Sequence, residues 1–271
     1  MADALVLAVI ALFVFLISFT FANVGLGGGG LYVPVLLLLW DPVKTLPDAE
    51  DLIVPVSLAL AAATAISSTW NHARKGFVDL KIGKNLVLGA LLGAVVGTTF
   101  TLDVLVAATF KVFFASLLFV LACLLMYDWY VGRKVDQDDD SKMTPRRMSL
   151  SSIATAASGF VSGSAGVGGG IFNVPIMTYG LGRNTRTATG TSSLIIIPTA
   201  IFGFLIFVLR HGGVPAEFSI IPILFPLALV GAFVGSRWGL QALRARSVAL
   251  LFIGVVFFAD ALVILEVLGV L

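Results

Sequence analysis

Long apolar segments follow one another along most of this 271-residue chain, and they restrict its fold class more than any other feature. Segments such as 82–102 and 248–271 are long enough to cross about 30 Å of hydrocarbon. Only 12% of the residues are charged and 59% are hydrophobic, whereas a soluble domain is about 25% charged. Inside a bilayer the backbone groups must pair within the protein, so such segments form helices. The sequence therefore predicts an all-α polytopic membrane protein.

The composition also excludes several classes of function. The net charge is +2, and no basic face accompanies the few cations, so nucleic acid is not expected as a partner. The single cysteine, Cys123, cannot form a disulfide framework or a thiolate metal site. The sequence has two histidines and no HExxH or GxSxG motif, so it offers few candidate catalytic residues. We predict that the protein is not an enzyme and has no cofactor or metal.

Two glycine clusters interrupt the apolar segments at matching places. The cluster GLGGG begins at Gly25 and the cluster GVGGG begins at Gly166, 141 residues later. The match continues at the same spacing, because the prolines Pro34 and Pro175 also coincide. Glycine and proline break helices and leave backbone groups unpaired. Paired breaks in two halves of a membrane protein are typical of a transporter's binding site.

Further matches in the same order indicate an internal duplication. The segment GAVVGT at 93–98 resembles GAFVGS at 231–236, and Ser57-Leu58 matches Ser193-Leu194. We divide the chain into a first membrane repeat at 1–131, a linker at 132–149 and a second membrane repeat at 150–271. Each repeat is predicted to hold five helical segments. These lie at 4–22, 24–40, 53–70, 83–102 and 106–127, and at 150–165, 167–181, 190–209, 219–236 and 247–270.

The distribution of Lys and Arg favours inverted repeats. If the second repeat is inverted, 14 of the 17 basic residues lie on the inner side, as the positive-inside bias requires. The arrangement without inversion leaves only ten there. We therefore predict a cytoplasmic linker and both termini outside. The glycine-broken regions are either two crossings or re-entrant hairpins. The short apolar runs 153–164 and 171–179 favour a hairpin or discontinuous helices in the second repeat.

Consecutive glycines can direct several backbone N–H groups into one concavity that suits an anion. A half-helix that begins after each cluster would add positive potential. The alternative for the glycines is close helix packing, and for the nearby serines it is helix capping. Asp260, in the last apolar segment, is either a proton-coupling acid or a residue that faces a water-filled gap or a partner subunit. The candidate substrate-binding residues are Asn23, Gly25, Gly27, Gly28, Gly29, Ser57, Ser164, Gly166, Gly168, Gly169, Gly170, Asn173, Ser192 and Ser193.

The two GxGGG…VP segments, the run Thr-Ser-Ser-Leu at 191–194 and the paired Gly-Ala-x-x-Gly segments resemble the TauE/SafE family of sulfite exporters. The family is also known as the four-toluenesulfonate uptake permeases, and the resemblance covers nearly the whole chain except the linker. It implies a secondary carrier of sulfur-containing anions in the inner membrane of a bacterium or archaeon. The positions that it points to are the two glycine clusters, Pro34, Asn173, Pro175, Ser192 and Ser193.

The leading hypothesis is a carrier that moves sulfite, sulfoacetate or another organosulfonate by alternating access. Export is the expected direction. Uptake of an organosulfonate or another small organic anion is the alternative, and an anion channel is a weaker rival. The expected partners are the anion and the lipid bilayer. Proton or sodium coupling and a homodimer are open expectations.

Overall fold

The structure is a computed structural model that describes residues 2–40, 50–105, 107–131 and 137–242, together with 254 and 257. Within these ranges it consists of helices and connecting loops and contains no strand. Short 3₁₀ turns lie at Asp140–Lys142 and Ala216–Ile220, and a π turn lies at Ile176–Gly180. The main helices are α1 (Ala2–Phe21), α2 (Gly29–Leu39), α3 (Glu50–Arg74), α4 (Leu80–Val104), α5 (Ala107–Val131), α6 (Pro145–Ala165), α7 (Gly170–Pro175), α8 (Thr185–Arg210) and α9 (Ile221–Ala242).

The all-helical membrane fold that the sequence predicted is confirmed. Five described segments, 4–21, 52–74, 80–104, 185–210 and 216–237, are long and apolar enough to span a membrane. The helices extend the predicted segments by a few residues at most ends. The largest extension is at the end of α9, which reaches Ala242 instead of residue 236, and α6 begins at Pro145 instead of residue 150, inside the predicted linker. The last predicted segment, 247–270, lies outside the described residues except for two positions.

Polar residues at the helix starts explain where several spans begin. The Asp79 carboxylate accepts from the backbone N–H groups of Lys81 and Ile82 at the start of α4. The Thr144 side chain accepts from the backbone N–H of Arg147 at the start of α6. Pro145, the first residue of this helix, has no backbone N–H that would need a partner. Asn184 starts α8 in the same way by accepting from Thr187. Each cap satisfies donors that the helix itself leaves unpaired.

Glycine stripes join the two halves through closely related contacts. In α4, Gly93 and Gly97 lie against the backbone of Ala156 and Phe160 in α6. In α9, the matching glycines Gly231 and Gly235 lie against the backbone of Phe15 and Phe19 in α1. The residues of α1 and α6 that take part are again 141 positions apart. Exchanging the two halves therefore reproduces the same helix contacts.

The order of contacts gives the direction of each helix. In the pairs α4–α6 and α1–α9, the residue numbers of the contacting positions increase together along both helices, so the two helices of each pair are parallel. Helix α3 is parallel to α9, because Ser67 and Asn71 donate to the carbonyls of Leu229 and Phe233. Helices α4 and α8 are also parallel, whereas α3 and α8 are antiparallel. It follows that α1 and α6 run in opposite directions. Their placement relative to a membrane, with both termini outside, stays a prediction.

Part of the linker packs against the second half. The backbone N–H of Asp139 donates to the carbonyl of Gly182, and the Asp138 carboxylate accepts from Asn184. The Arg183 guanidinium is buried between three carboxylates, those of Asp79, Asp138 and Asp140, at 3.8, 3.6 and 2.9 Å. This end of the linker is therefore held to the loop that precedes α8 and, through Asp79, to the start of α4.

Candidate functional site

The two glycine breaks lie against each other in the interior of the helix assembly. A Cβ atom built on Gly29 would lie 2.1 Å from the carbonyl oxygen of Gly166. The matching Cβ on Gly170 would lie 2.1 Å from the carbonyl oxygen of Gly25. No side chain fits at either position. The contact is reciprocal, because each helix start touches the beginning of the other break.

The backbone of each break also requires glycine for its conformation. Gly27 and Gly168 occupy matching positions with φ of +73° and +85°, in the left-handed region that disfavours side chains. Both lie near Ala61 in the middle of α3 and Ile196 in the middle of α8. The breaks therefore meet halfway along the two long central helices.

Two serines hold the carbonyl groups of the breaks. The Ser192 hydroxyl donates to the Gly25 carbonyl at 2.8 Å, and the Ser57 hydroxyl donates to the Gly166 carbonyl at 2.8 Å. These reciprocal bonds make Ser57 the counterpart of Ser192, whereas the sequence alignment matched it with Ser193. Ser193 instead shares a hydrogen bond with Ser68 at 2.9 Å. Ser57 and Ser192 therefore fix the backbone of the breaks, whereas Ser193 bonds to Ser68 and to the Thr189 carbonyl.

The backbone N–H groups of the breaks have no partner within the described part of the chain. These groups belong to residues 26–30 and to the matching residues 167–171. No described peptide bond is cis, so the Leu26 N–H points away from the Gly25 carbonyl and hence away from Ser192. The same holds for Val167 and Ser57. Helix starts with unpaired N–H groups carry positive potential and suit an anion.

Three of the predicted polar residues flank these breaks. The Asn23 amide donates to the Phe19 carbonyl at 3.1 Å, and its buried oxygen has no described partner. Asn173 is buried in α7, and its amide oxygen also has no described partner. The Ser164 hydroxyl lies 3.5 Å from the Val161 carbonyl, at the limit of a hydrogen bond. Unpaired oxygens of this kind accept hydrogen bonds from water or a ligand.

Tyr32 occupies the place in the first half that Asn173 occupies in the second. It is fully buried, and its ring lies against Gly28. Its hydroxyl is bonded to Ser18 and Thr64, each at 2.7 Å. The Tyr32 side chain therefore occupies the space beside the break of the first half, and its hydroxyl is already bonded within the protein.

Two further serines beside the break were missed in the sequence. The Ser158 hydroxyl donates to the Gly169 carbonyl at 2.6 Å. Ser162, one helical turn later, also lies beside Gly169, and its buried hydroxyl has no described partner. The sequence held a signal for them, because the aligned residues of α1 are Ile17 and Phe21. At these two positions the second half has serines where the first half has apolar side chains.

The described residues contain no cluster of three His, Cys, Asp or Glu side chains that could hold a metal. The candidate site consists of backbone N–H groups, hydroxyls and amides, which can bind a small oxyanion without a formal cation. The candidate coupling residue Asp260 lies outside the described residues.

The family model of sulfite exporter TauE/SafE matches residues 10–261. The chain belongs to the TauE/SafE family. Three curated relatives are named probable membrane transporter proteins. YdhB of Bacillus subtilis is 27% identical over 232 residues, covering 84% of this chain and 89% of the relative. The relative from Methanocaldococcus jannaschii is 26% identical, covering 77% of this chain and 74% of the relative. The relative from Haemophilus influenzae is 28% identical, covering 80% of this chain and 81% of the relative.

No solved structure matches the chain significantly. Membership of the TauE/SafE family and the apolar helices identify a multi-pass membrane protein of a transporter family. The predictions of a membrane protein and of this family are thus confirmed. The relatives' names are consistent with a protein that is not an enzyme.

Proposed function

We propose that this TauE/SafE protein is a secondary carrier that exports a small sulfur-containing anion, such as sulfite or an organosulfonate, across an inner plasma membrane. The observation that carries the proposal is the reciprocal meeting of two glycine breaks whose backbone N–H groups lack described acceptors. The description of the family supports the choice of sulfite and of export. The substrate binds between the breaks and accepts hydrogen bonds from both.

Sulfur oxyanions suit such a site for a physical reason. Their charge is spread over several oxygens, each of which can accept a hydrogen bond from a separate backbone N–H group. Two inverted helix starts offer such donors from opposite directions. Alternating access then requires one half to move against the other around the glycine contact, with a proton or sodium gradient as the driving force.

Counterflow into proteoliposomes tests the substrate. Sulfite, sulfate, thiosulfate, sulfoacetate and a carboxylate are compared as the internal anion at two pH values. We expect saturable exchange with a preference for a sulfur anion and a response to an imposed ion gradient. A preference for the carboxylate would reject the substrate class, and ohmic conductance without saturation would identify a channel.

Gly168 offers a test of the break itself. A Cβ there would meet no atom closer than 3.6 Å, so Gly168→Ala causes no clash. Its only direct effect is on the left-handed backbone, which has φ of +85°. The left-handed conformation costs alanine about 1 to 2 kcal/mol. We expect the variant to fold while counterflow falls at least several-fold. Gly28→Val is a poorer test, since the Tyr32 ring is only 2.9 Å from the added Cβ.

A further inference from the structure

A cavity of about 570 Å³ opens beside the N-terminal end of α6. Its walls come from the first turns of α6 and from the π turn at Ile176–Gly180 that follows α7. Both elements continue from the cavity to the glycine break of the second half. The lining residues that bear on its chemistry are Arg146, Arg147, Ser151, Ala154 and Gly180.

The cavity has a positive mouth. Arg146 and Arg147 are exposed, and neither forms an ion pair with a described residue. The Arg147 guanidinium donates to the Gly180 carbonyl at 3.2 Å, which joins the two walls of the cavity without neutralising its charge. The N-terminal end of α6 adds the positive end of a helix dipole. Arg183 differs from both arginines, because three carboxylates surround it.

Serine hydroxyls lie on α6 both at this cavity and at the break. Ser151 lies in the cavity wall, and Ser158 and Ser162 lie about 10 and 16 Å further along the helix axis. Ser158 and Ser162 both face Gly169. An unpaired buried hydroxyl such as that of Ser162 costs about 1 to 3 kcal/mol unless water or a ligand pairs with it. Asn173 lies in α7 on the other side of the break, and its amide oxygen also has no described partner.

The corresponding positions of the first half are apolar. Ile10, Ile17 and Phe21 occupy the places of Ser151, Ser158 and Ser162, and all three are buried in the hydrophobic core. Val6 occupies the place of Arg147, and Tyr32 that of Asn173. The first half therefore has a closed, apolar counterpart to the polar side of α6.

We propose that the cavity at Arg146 and Arg147 is an anion-binding vestibule, and that Ser151, Ser158, Ser162 and Asn173 form the route from it to the glycine breaks. This inference rests on the proposed function and adds the site that an oxyanion occupies before it reaches the centre. The arginines attract the anion, Ser151 and Ser158 keep the wall of the route polar, and the unpaired Ser162 hydroxyl donates a hydrogen bond to the anion. Ile10, Ile17 and Phe21 keep the matching route of the first half closed.

Single cysteines test the route by aqueous accessibility. In a Cys123→Ala background, the variants S151C, S158C and S162C are compared with the matched first-half variants I10C, I17C and F21C. The full chain in proteoliposomes is treated with the anionic thiol reagent 2-sulfonatoethyl methanethiosulfonate and with the cationic trimethylammonioethyl reagent. We expect the second-half cysteines to react about tenfold faster than their counterparts, and faster with the anionic reagent.

Removal of one charge at the mouth tests the vestibule separately. Arg147→Gln is expected to slow anionic labelling of S158C by about tenfold and to leave cationic labelling unslowed. Arg186→Gln is the matched control, because Arg186 is also exposed but lies over the Phe77 ring, away from the cavity wall. Equal labelling of the two halves, unreactive second-half cysteines, or equal slowing by both arginine variants would overturn the proposal.

The labelling result does not depend on which substrate is carried. If the second-half cysteines react selectively while no sulfur anion shows counterflow, the substrate assignment fails and the route stands. If counterflow of a sulfur anion is present and labelling is equal in the two halves, the carrier stands and the route fails.

Discussion

The two halves of the molecule build the same backbone around the glycine breaks but surround it with different side chains. Gly29 and Gly170 make matching contacts, and Ser57 and Ser192 hold matching carbonyls. In contrast, the side chains of α1 that face the break are apolar where those of α6 are hydroxyls. A duplicated backbone can thus supply a shared centre, while divergence of side chains gives the two approaches to it different polarity.

The largest expected effect tests the symmetric part of this comparison. Gly29→Ala and Gly170→Ala each place a Cβ atom 2.1 Å from a backbone carbonyl oxygen of the other break. Because neither backbone can yield like a flexible side chain, we expect each variant to lose about 3 kcal/mol of stability and all counterflow. Thermal unfolding in detergent and counterflow in proteoliposomes measure the two effects.

Gly212→Ala is the control for these variants. Gly212 has φ of +72° and no neighbouring atom within 4 Å of an added Cβ, so only the backbone preference of about 1 kcal/mol is lost. A mild effect of Gly29→Ala beside a severe effect of Gly170→Ala would show that the contact is not reciprocal in the working protein.

The symmetric part of the molecule was also the part that the sequence could predict. Glycine positions and apolar segments record backbone geometry and burial, and these are what the repeat at 141 residues preserves. The register of the serines was not predictable at this precision. Ser57 aligned with Ser193 in the sequence, yet hydrogen bonding selects Ser192, because the loops between helices shift one alignment relative to the next.

The roles of individual polar residues depended on partners that lie far away in the sequence. Tyr32 could have offered its hydroxyl to a ligand, but Ser18 and Thr64 already bind it. The linker is another example, since the sequence predicted only a cytoplasmic linker at 132–149 and no contact with the second half. The three carboxylates around Arg183 come from two separate loops, and nothing in the linear sequence brings Asp79 to Asp138.

The second prediction tests the asymmetric part of the comparison. Asn173→Ala removes an amide whose oxygen has no described partner and whose NH₂ group can donate to an anion, so we expect nearly unchanged stability and a several-fold rise in KM for the anion. Tyr32→Phe removes a hydroxyl bonded to two side chains, so we expect a loss of about 1 kcal/mol and an unchanged KM. Unfolding midpoints and the concentration dependence of counterflow separate the two outcomes.

A double variant sharpens this test. If Tyr32 and Asn173 act independently, Tyr32→Phe with Asn173→Ala shows the stability loss of the first and the KM of the second. A rise in KM on Tyr32→Phe alone would show that the first half also contacts the substrate, and the assignment of different roles to the halves would then be wrong.

The smallest expected effect concerns the attachment of the linker to the second half. Arg183→Gln removes the cation shared by Asp79, Asp138 and Asp140. Because the Asp140 side chain is 85% exposed and that of Asp138 is 37% exposed, we expect a loss of only about 1 kcal/mol, even though Arg183 itself is buried. Arg186→Gln, which breaks no ion pair among the described residues, should lower the unfolding midpoint less. High salt should lower the unfolding midpoint of the wild-type protein towards that of Arg183→Gln, since exposed carboxylates are readily screened. If Arg183→Gln and Arg186→Gln have equal midpoints at low salt, the buried arginine does not hold the linker, and the loop before α8 is positioned by the hydrogen bonds from Asp139 to Gly182 and from Asn184 to Asp138.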